Sequence, residues 1–187
     1  MEIKDIATLS ILVDEAIITC EAKIQKSPNI ILSEADFERL LSNEISNLLA
    51  NSYNPEGFIV HNQISSYSIK ESENQNNRDY QVDILIMKNK DIKDDKILHK
   101  EFFYFGDSIA IELKYFRNKD YDYSKIQLDL DKSEKLIGIS NCVFFAVVLL
   151  KDSSKCEEIE KYFKPYLNKE NIHTRVITKE PKKTEIL

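Results

Sequence analysis

The stretch "SIAIELKYF", residues 108 to 116, places an acid and a lysine close together in an otherwise apolar run. Such a run predicts a β-strand, in which successive side chains alternate between two faces. Glu112 and Lys114 therefore point the same way, beside Ala110 and Phe116. The other face is apolar and consists of Ile109, Ile111, Leu113 and Tyr115. The charged pair faces either solvent, as an ion pair on an amphipathic strand, or a polar cleft.

An acid in the preceding strand is a candidate neighbour for this pair. The segment "YQVDILIM", residues 80 to 87, predicts a strand. Alternation puts three apolar side chains on one of its faces: Val82, Ile84 and Ile86. Asp83 interrupts an apolar stretch on the other face. If the two strands pair, Asp83 approaches Glu112.

A third acid lies in a predicted helix that begins at Ser33, a suitable N-cap with Asp36 at the third helical position. The apolar stripe of this helix consists of Phe37, Leu40, Leu41, Ile45 and Leu48. Glu44 falls close to the middle of that stripe, whereas Glu38 lies at its edge and needs no special account. A charged carboxylate facing a core is costly unless it is paired, hydrogen-bonded or beside a polar cleft. The alternative is that Glu44 turns to the helix edge and pairs with a lysine.

These residues suggest a chemistry. Carboxylates that converge on one point repel and raise each other's pKa, and a hard divalent cation such as Mg²⁺ relieves that repulsion. The cation lowers the pKa of a bound water and stabilises charge on a phosphoryl oxygen. Lys114 would then orient the water or neutralise the phosphate in the transition state. The pattern therefore favours metal-assisted hydrolysis of a phosphate ester.

The remaining elements follow from periodicity and turn residues. Helices are predicted at 5–24, at 124–139 with an end near Gly138, and at 153–170 with a break or kink at Pro165; strands at 58–69, 141–151 and 172–178; a turn at 70–79; a charged insertion at 88–101, with "FFYF" extending a hairpin or packing over it; and a solvated tail at 179–187. The order is helix, helix, three strands, helix, strand, helix, strand. It predicts an α/β fold with a mixed sheet flanked by helices, as a single domain over 1–187.

Composition restricts the class of protein. With 187 residues, 42% of them hydrophobic, and only 3 Gly and 4 Pro, the chain can bury one substantial core. Its longest apolar run, "CVFFAVVLL", is shorter than the roughly 20 residues of a membrane helix, and the N-terminus has no basic region followed by an apolar one. Three cysteines without a CxxC spacing favour a reducing cytoplasm and argue against structural zinc.

Net charge and isolated histidines are weaker indicators. The net charge of −6 is unfavourable for a nucleic-acid partner, although acids that hold a divalent cation count as negative until the metal binds. The histidines His61, His99 and His173 are isolated from other metal-ligand types and are interpreted as structural or solvated.

The combination of Asp83 with the tripeptide Glu112, Leu113 and Lys114 resembles the PD-(D/E)XK nuclease superfamily. The likeness spans about 33–150 and includes the order helix, strand, strand, helix, strand. It implies a restriction-endonuclease-like αβββαβ core with an N-terminal helix and a C-terminal αβ extension. Val82 stands where the name of the motif has proline.

The resemblance also implies roles. Mg²⁺, with Mn²⁺ able to substitute, would be held by Asp83, Glu112 and the backbone carbonyl of Leu113, with Lys114 as the catalytic lysine. Glu44 would be the helical acid that this family often adds as a further ligand. On the following helix, Gln127 resembles a polar residue that some branches direct at the site, although a plain surface role is the simpler interpretation.

The expected substrate is a phosphodiester, with DNA the favoured nucleic acid, and the expected location is the cytoplasm, with no membrane contact. Because cutting both strands of a duplex needs two active sites, a homodimer is expected; a partner protein subunit is the other arrangement considered. The alternative function is a catalytically inactive binding or regulatory subunit of a defence or repair complex.

Overall fold

The computed structural model describes residues 1–69, 78–94, 102–104, 107–116, 123–137 and 142–180. Most of the predicted turn at 70–79, part of the insertion at 88–101, Gly138 and most of the tail at 179–187 lie outside the described residues. Within the described ranges, no helix is both long and apolar enough to span a bilayer.

Two helices open the chain. Helix α1 (Ile6–Lys26) is capped by Asp5, whose Oδ1 accepts a hydrogen bond from the Thr8 amide at 2.8 Å. Helix α2 (Glu34–Ala50) is capped by Ser33, whose Oγ accepts from the Asp36 amide at 3.1 Å. The predicted start of the second helix is therefore confirmed, with the cap that its sequence indicated.

The described strands form one mixed sheet, in the order β3, β4, β1, β2, β5, β6, β7. Their bounds are β1 (Phe58–Ile69), β2 (Arg78–Lys88), β3 (Ile92–Asp94), β4 (Phe102–Tyr104), β5 (Ser108–Phe116), β6 (Cys142–Leu150) and β7 (Ile172–Thr178). Strand β2 pairs antiparallel with β1 and β5, whereas β5, β6 and β7 run parallel. Helices α3 (Tyr123–Ile137) and α4 (Cys156–Phe163) supply the crossovers between the parallel strands. The predicted α/β class with a mixed, helix-flanked sheet is confirmed.

The sheet separates two apolar clusters. Helices α1 and α2 pack on the face that carries Ile111 and Leu113. Helices α3 and α4 pack on the face that carries Ala110 and Phe116. The alternation predicted for β5 is therefore confirmed, and it assigns Glu112 and Lys114 to the side of α3.

Strand β2 departs from the prediction. Val82 packs with Leu85 in the cluster under α3 and α4, while Ile84 and Ile86 pack in the cluster under α1 and α2. The prediction that Val82, Ile84 and Ile86 share one face is wrong. The alternation changes at Asp83, which is where the pairing of β2 with β5 ends.

The last predicted helix is shorter than its pattern. Helix α4 ends at Phe163 and is followed by a 3-10 turn at Lys164–Tyr166. Pro165 has no amide hydrogen to continue the α-helical ladder, so the predicted break at this residue is confirmed.

Candidate active site

Strands β2 and β5 stop pairing at one point of the sheet. Between described residues, their ladder extends as far as Ile84 opposite Ile111 and then ends. Beyond it, Oδ2 of Asp83 accepts a hydrogen bond from the Leu113 amide at 2.7 Å. A side-chain carboxylate thus replaces a main-chain acceptor, and it brings Asp83 close to Glu112.

Glu112 lies at this point with only 5% of its surface exposed. Burial raises the pKa of Glu112 to about 8; the charge of Asp83 adds to this effect, while Lys132 opposes it. The Nζ of Lys132 forms an ion pair with Oε1 of Glu112. Even with Lys132 beside it, Glu112 therefore holds its proton more tightly than an exposed glutamate does.

Lys114 has its own partner. Its Nζ lies 3.0 Å from Oδ2 of Asp129 and donates to the carbonyl oxygen of Leu113 at 3.1 Å. Burial acts to lower the pKa of Lys114, but the Asp129 carboxylate outweighs it and the pKa is raised. Burial also raises the pKa of Asp129, against the opposing effect of Lys114. Lys114 therefore remains an ammonium at neutral pH.

Helix α3 supplies two site residues that the sequence interpretation missed, Asp129 and Lys132. They are three positions apart and so lie on one side of the helix. That side borders the stripe formed by Ile126 and Leu130, which packs on the face of β5 that carries Glu112. The available signal was a pair of charged residues beside the apolar stripe of the helix that follows the strand.

The structure does not bring Gln127 to these residues. Its Nε2 donates to Oδ1 of Asp131 at 2.7 Å and to Oη of Tyr166 at 3.1 Å. At about 100° per residue, Gln127 and Asp129 lie on opposite flanks of the buried stripe of α3. The plain role weighed for Gln127 matches this placement.

Glu44 is also separate from the cluster. Its carboxylate pairs with Lys23 of α1. Helix α2 packs on the face of the sheet formed by Ile111 and Leu113, opposite to the face of Glu112. This pairing is the lysine partner that the sequence left open as the alternative.

Another flank of α2 approaches the site. Oε2 of Glu34 accepts from the Tyr115 amide at 3.0 Å, and its charge contributes to the raised pKa of Lys114. Two turns along, Oγ of Ser42 accepts from Nδ2 of Asn62 at 2.9 Å. This flank of α2 therefore contacts β5 near the start of the helix and β1 two turns later.

Between those two contacts lies Glu38, which is 6% exposed. The interpretation that Glu38 needs no special account is wrong, because a carboxylate so deeply buried requires compensation. Of the acids on this flank of α2, Glu34 contacts β5, and Glu38 is buried one turn further along the helix.

The donor atoms suit a hard cation. The carboxylates of Asp83 and Glu112 and the carbonyl of Leu113 are oxygen donors, and Mg²⁺ prefers oxygen ligands while keeping several waters. Among the described residues, no three His, Cys, Asp or Glu side chains are arranged to hold a metal by themselves. A cation here would therefore take two carboxylates, a carbonyl and water.

Comparison with protein-family models, with curated proteins and with solved structures gives no match to this chain. Its function is therefore inferred from its own side chains and their surroundings.

Proposed function

We propose that this chain is a Mg²⁺-dependent nuclease of the PD-(D/E)XK type, which hydrolyses phosphodiester bonds in DNA within a restriction-endonuclease-like core. The observation that carries the proposal is the end of the ladder between β2 and β5. There Asp83, Glu112 and Lys114 lie together, on two strands that no longer pair.

Asp83, Glu112 and the carbonyl of Leu113 are the proposed metal ligands. A bound Mg²⁺ would supply Lewis acidity, which lowers the pKa of water and stabilises charge on a phosphoryl oxygen. Asp83 is held by the Leu113 amide, so the rotamer of one ligand is fixed by the backbone next to another. Such a fixed arrangement reduces the cost of organising the site when the cation arrives.

Lys114 is the proposed donor to the phosphate. It is charged, about one fifth of its side chain is accessible, and Asp129 holds its ammonium in place. A preorganised cation in a partly buried setting stabilises developing negative charge more strongly than one in water. Asp129 would act as a positioning residue for Lys114.

The proposal is tested by cleavage assays on plasmid, linear duplex and single-stranded DNA, with Mg²⁺ or Mn²⁺. We expect metal-dependent cleavage that Lys114→Ala lowers by about a hundredfold or more. Lys125→Ala is a matched control, because Lys125 is an exposed lysine on α3 with no ion pair among the described residues. It should cleave like the parent. Absence of metal-dependent cleavage, or cleavage that survives Lys114→Ala, would reject the proposal.

A specific observation favours a second candidate, a regulatory subunit that keeps the fold without catalysis. Glu112 and Lys114 each already have a partner on α3, Lys132 and Asp129, so the charges also satisfy one another without a metal. Thermal melts with Mn²⁺ separate the two functions. A metal site should raise the melting temperature of the parent and not that of Asp83→Asn, whereas an inactive scaffold should show no shift.

A homodimer is part of the proposal for duplex substrates, since cutting both strands requires two sites. Light scattering should give the mass of two chains. A monomer at working concentration would restrict the proposal to single-strand cleavage.

A further inference from the structure

The cluster contains two lysines, and each contacts a different acid. Lys114 pairs with Asp129, and Lys132 pairs with Glu112. Of these two acids, only Glu112 is among the proposed metal ligands. The ammonium of Lys132 therefore already occupies the surroundings of a carboxylate that the metal would need.

The two partners of this ion pair differ in their freedom to move. The side chain of Glu112 is 6% accessible and projects from a central strand that pairs with β6 along its whole length. The side chain of Lys132 is 22% accessible and reaches in from the surface of α3. Lysine carries its charge on a long flexible stem, so Lys132 can turn towards solvent while Glu112 stays in place.

An ammonium and a divalent cation cannot both remain beside one buried carboxylate. Like charges at a separation of a few ångströms repel strongly where water is largely excluded. The divalent cation carries the larger charge and also gains Asp83 as a ligand, so Lys132 is the cation that leaves.

We propose that Lys132 is a built-in counter-ion, which lies beside Glu112 in the metal-free protein and is displaced towards solvent when a divalent cation binds. The proposal rests on the proposed function, because the displacing cation is the Mg²⁺ or Mn²⁺ assigned to Asp83 and Glu112. Lys114, in contrast, pairs with Asp129, which is not among the proposed metal ligands. The exchange lowers the affinity for metal, and it keeps a cationic partner beside Glu112 when metal is absent.

The first test is Mn²⁺ binding, measured from the electron paramagnetic resonance signal of the free ion. The proteins are the parent, Lys132→Met, Lys125→Met and Asp83→Asn. Lys125→Met removes the same charge from the same side of α3 without touching Glu112, so it corrects for the general effect of charge on affinity. We expect Lys132→Met to bind Mn²⁺ about tenfold more tightly than Lys125→Met.

The outcomes distinguish this inference from the proposed function. If the parent binds Mn²⁺ and loses it in Asp83→Asn, but Lys132→Met binds no more tightly than Lys125→Met, the counter-ion role is overturned and the metal site stands. If none of the four proteins binds Mn²⁺, both are overturned. Detectable Mn²⁺ binding by Lys132→Met, and by none of the other three proteins, would support the displacement of Lys132.

A second measurement uses only the parent protein and therefore does not depend on a variant that folds. Lysines are labelled briefly with an acetylating reagent, with and without Mn²⁺, and the labelled peptides are measured by mass spectrometry. Labelling of Lys132 should rise several-fold with Mn²⁺, while that of Lys125 stays constant. Labelling of Lys132 that is unchanged or falls with Mn²⁺ would overturn the proposal.

Discussion

The two edges of strand β5 differ in how their main-chain groups are satisfied. Along one edge, β5 pairs with β6 from Ser108 to Phe116 without a break. Along the other edge, pairing with β2 ends at Ile111. Beyond that point, the amides of Leu113 and Tyr115 donate to side-chain carboxylates instead of to a neighbouring strand.

Those carboxylates belong to Asp83 and Glu34, which come from a strand and a helix on either side of the opening. At this edge, carboxylates thus take the place of a neighbouring strand, and their negative charge lies beside β5. The closed edge joins β5 to the parallel part of the sheet, whereas the open edge places carboxylates near Lys114.

The largest effect on the open edge is expected from Asp83. Asp83→Ala removes the acceptor of the Leu113 amide and should lower the free energy of unfolding in EDTA by about 1 to 3 kcal/mol. Asp83→Asn keeps an acceptor oxygen and removes a charge that repels Glu112, so it should be no less stable than the parent. Denaturant unfolding in EDTA measures both variants.

Adding Mg²⁺ gives a second test of the role of Asp83. With Mg²⁺, the parent should gain stability and Asp83→Asn should gain much less. A loss of about 3 to 5 kcal/mol in EDTA for Asp83→Asn would instead indicate that Asp83 belongs to a structural ion network, since removal of one partner of a buried pair has an effect of this size. That result would contradict the metal-site interpretation.

A smaller effect is expected from the pH dependence of Glu112. Its pKa in the folded protein, about 8, is higher than its ordinary value of 4.5, so the folded state retains a proton that the unfolded chain releases between these values. The contribution of Glu112 to stability is therefore fully present below about pH 4.5 and is lost as the pH rises through about 8. Glu112→Gln does not titrate and should avoid this loss.

The difference between Glu112→Gln and the parent should grow in favour of the variant by about 2 kcal/mol from pH 5 to about pH 6.5 without metal. Unfolding curves at several pH values measure the difference, and a constant difference across this range would contradict the raised pKa.

The smallest effect is expected away from the opening, at Glu44. Its lysine partner, Lys23, is about half exposed, so solvent screens the pair. Glu44→Gln should change the free energy of unfolding by less than about 1 kcal/mol and leave Mn²⁺ binding unchanged. Weaker Mn²⁺ binding in this variant would restore Glu44 as a candidate ligand.

Local patterns predicted much of the fold. The period of alternation in β5, the cap at Ser33 and the break at Pro165 each depend on neighbouring residues, and all three agree with the structure. The position of Asp83 beside Glu112 also followed, because the two strands pair as predicted up to the adjacent residues.

The helical site residues could not be predicted in the same way. By periodicity, Glu44 lies near the middle of the apolar stripe of α2 and Glu38 at its edge, yet the residues that are buried in the structure include Glu38 and not Glu44. Which flank turns to the sheet and which to α1 depends on how α2 is docked, and this is a property of the packed protein. The same ambiguity separates Gln127 from Asp129 on α3, where the stripe fixes the buried side but not the flank nearer to Glu112.

The open edge of β5 also has a consequence for self-association. Unpaired strand main chain is a template on which a strand of another molecule can add, and such addition leads to aggregation. Here the amides of Leu113 and Tyr115 are already bonded to Asp83 and Glu34, whose negative charges repel the carbonyl oxygens of an incoming strand. Asp83 and Glu34 therefore also disfavour intermolecular β-pairing at the point where the pairing of β5 with β2 ends.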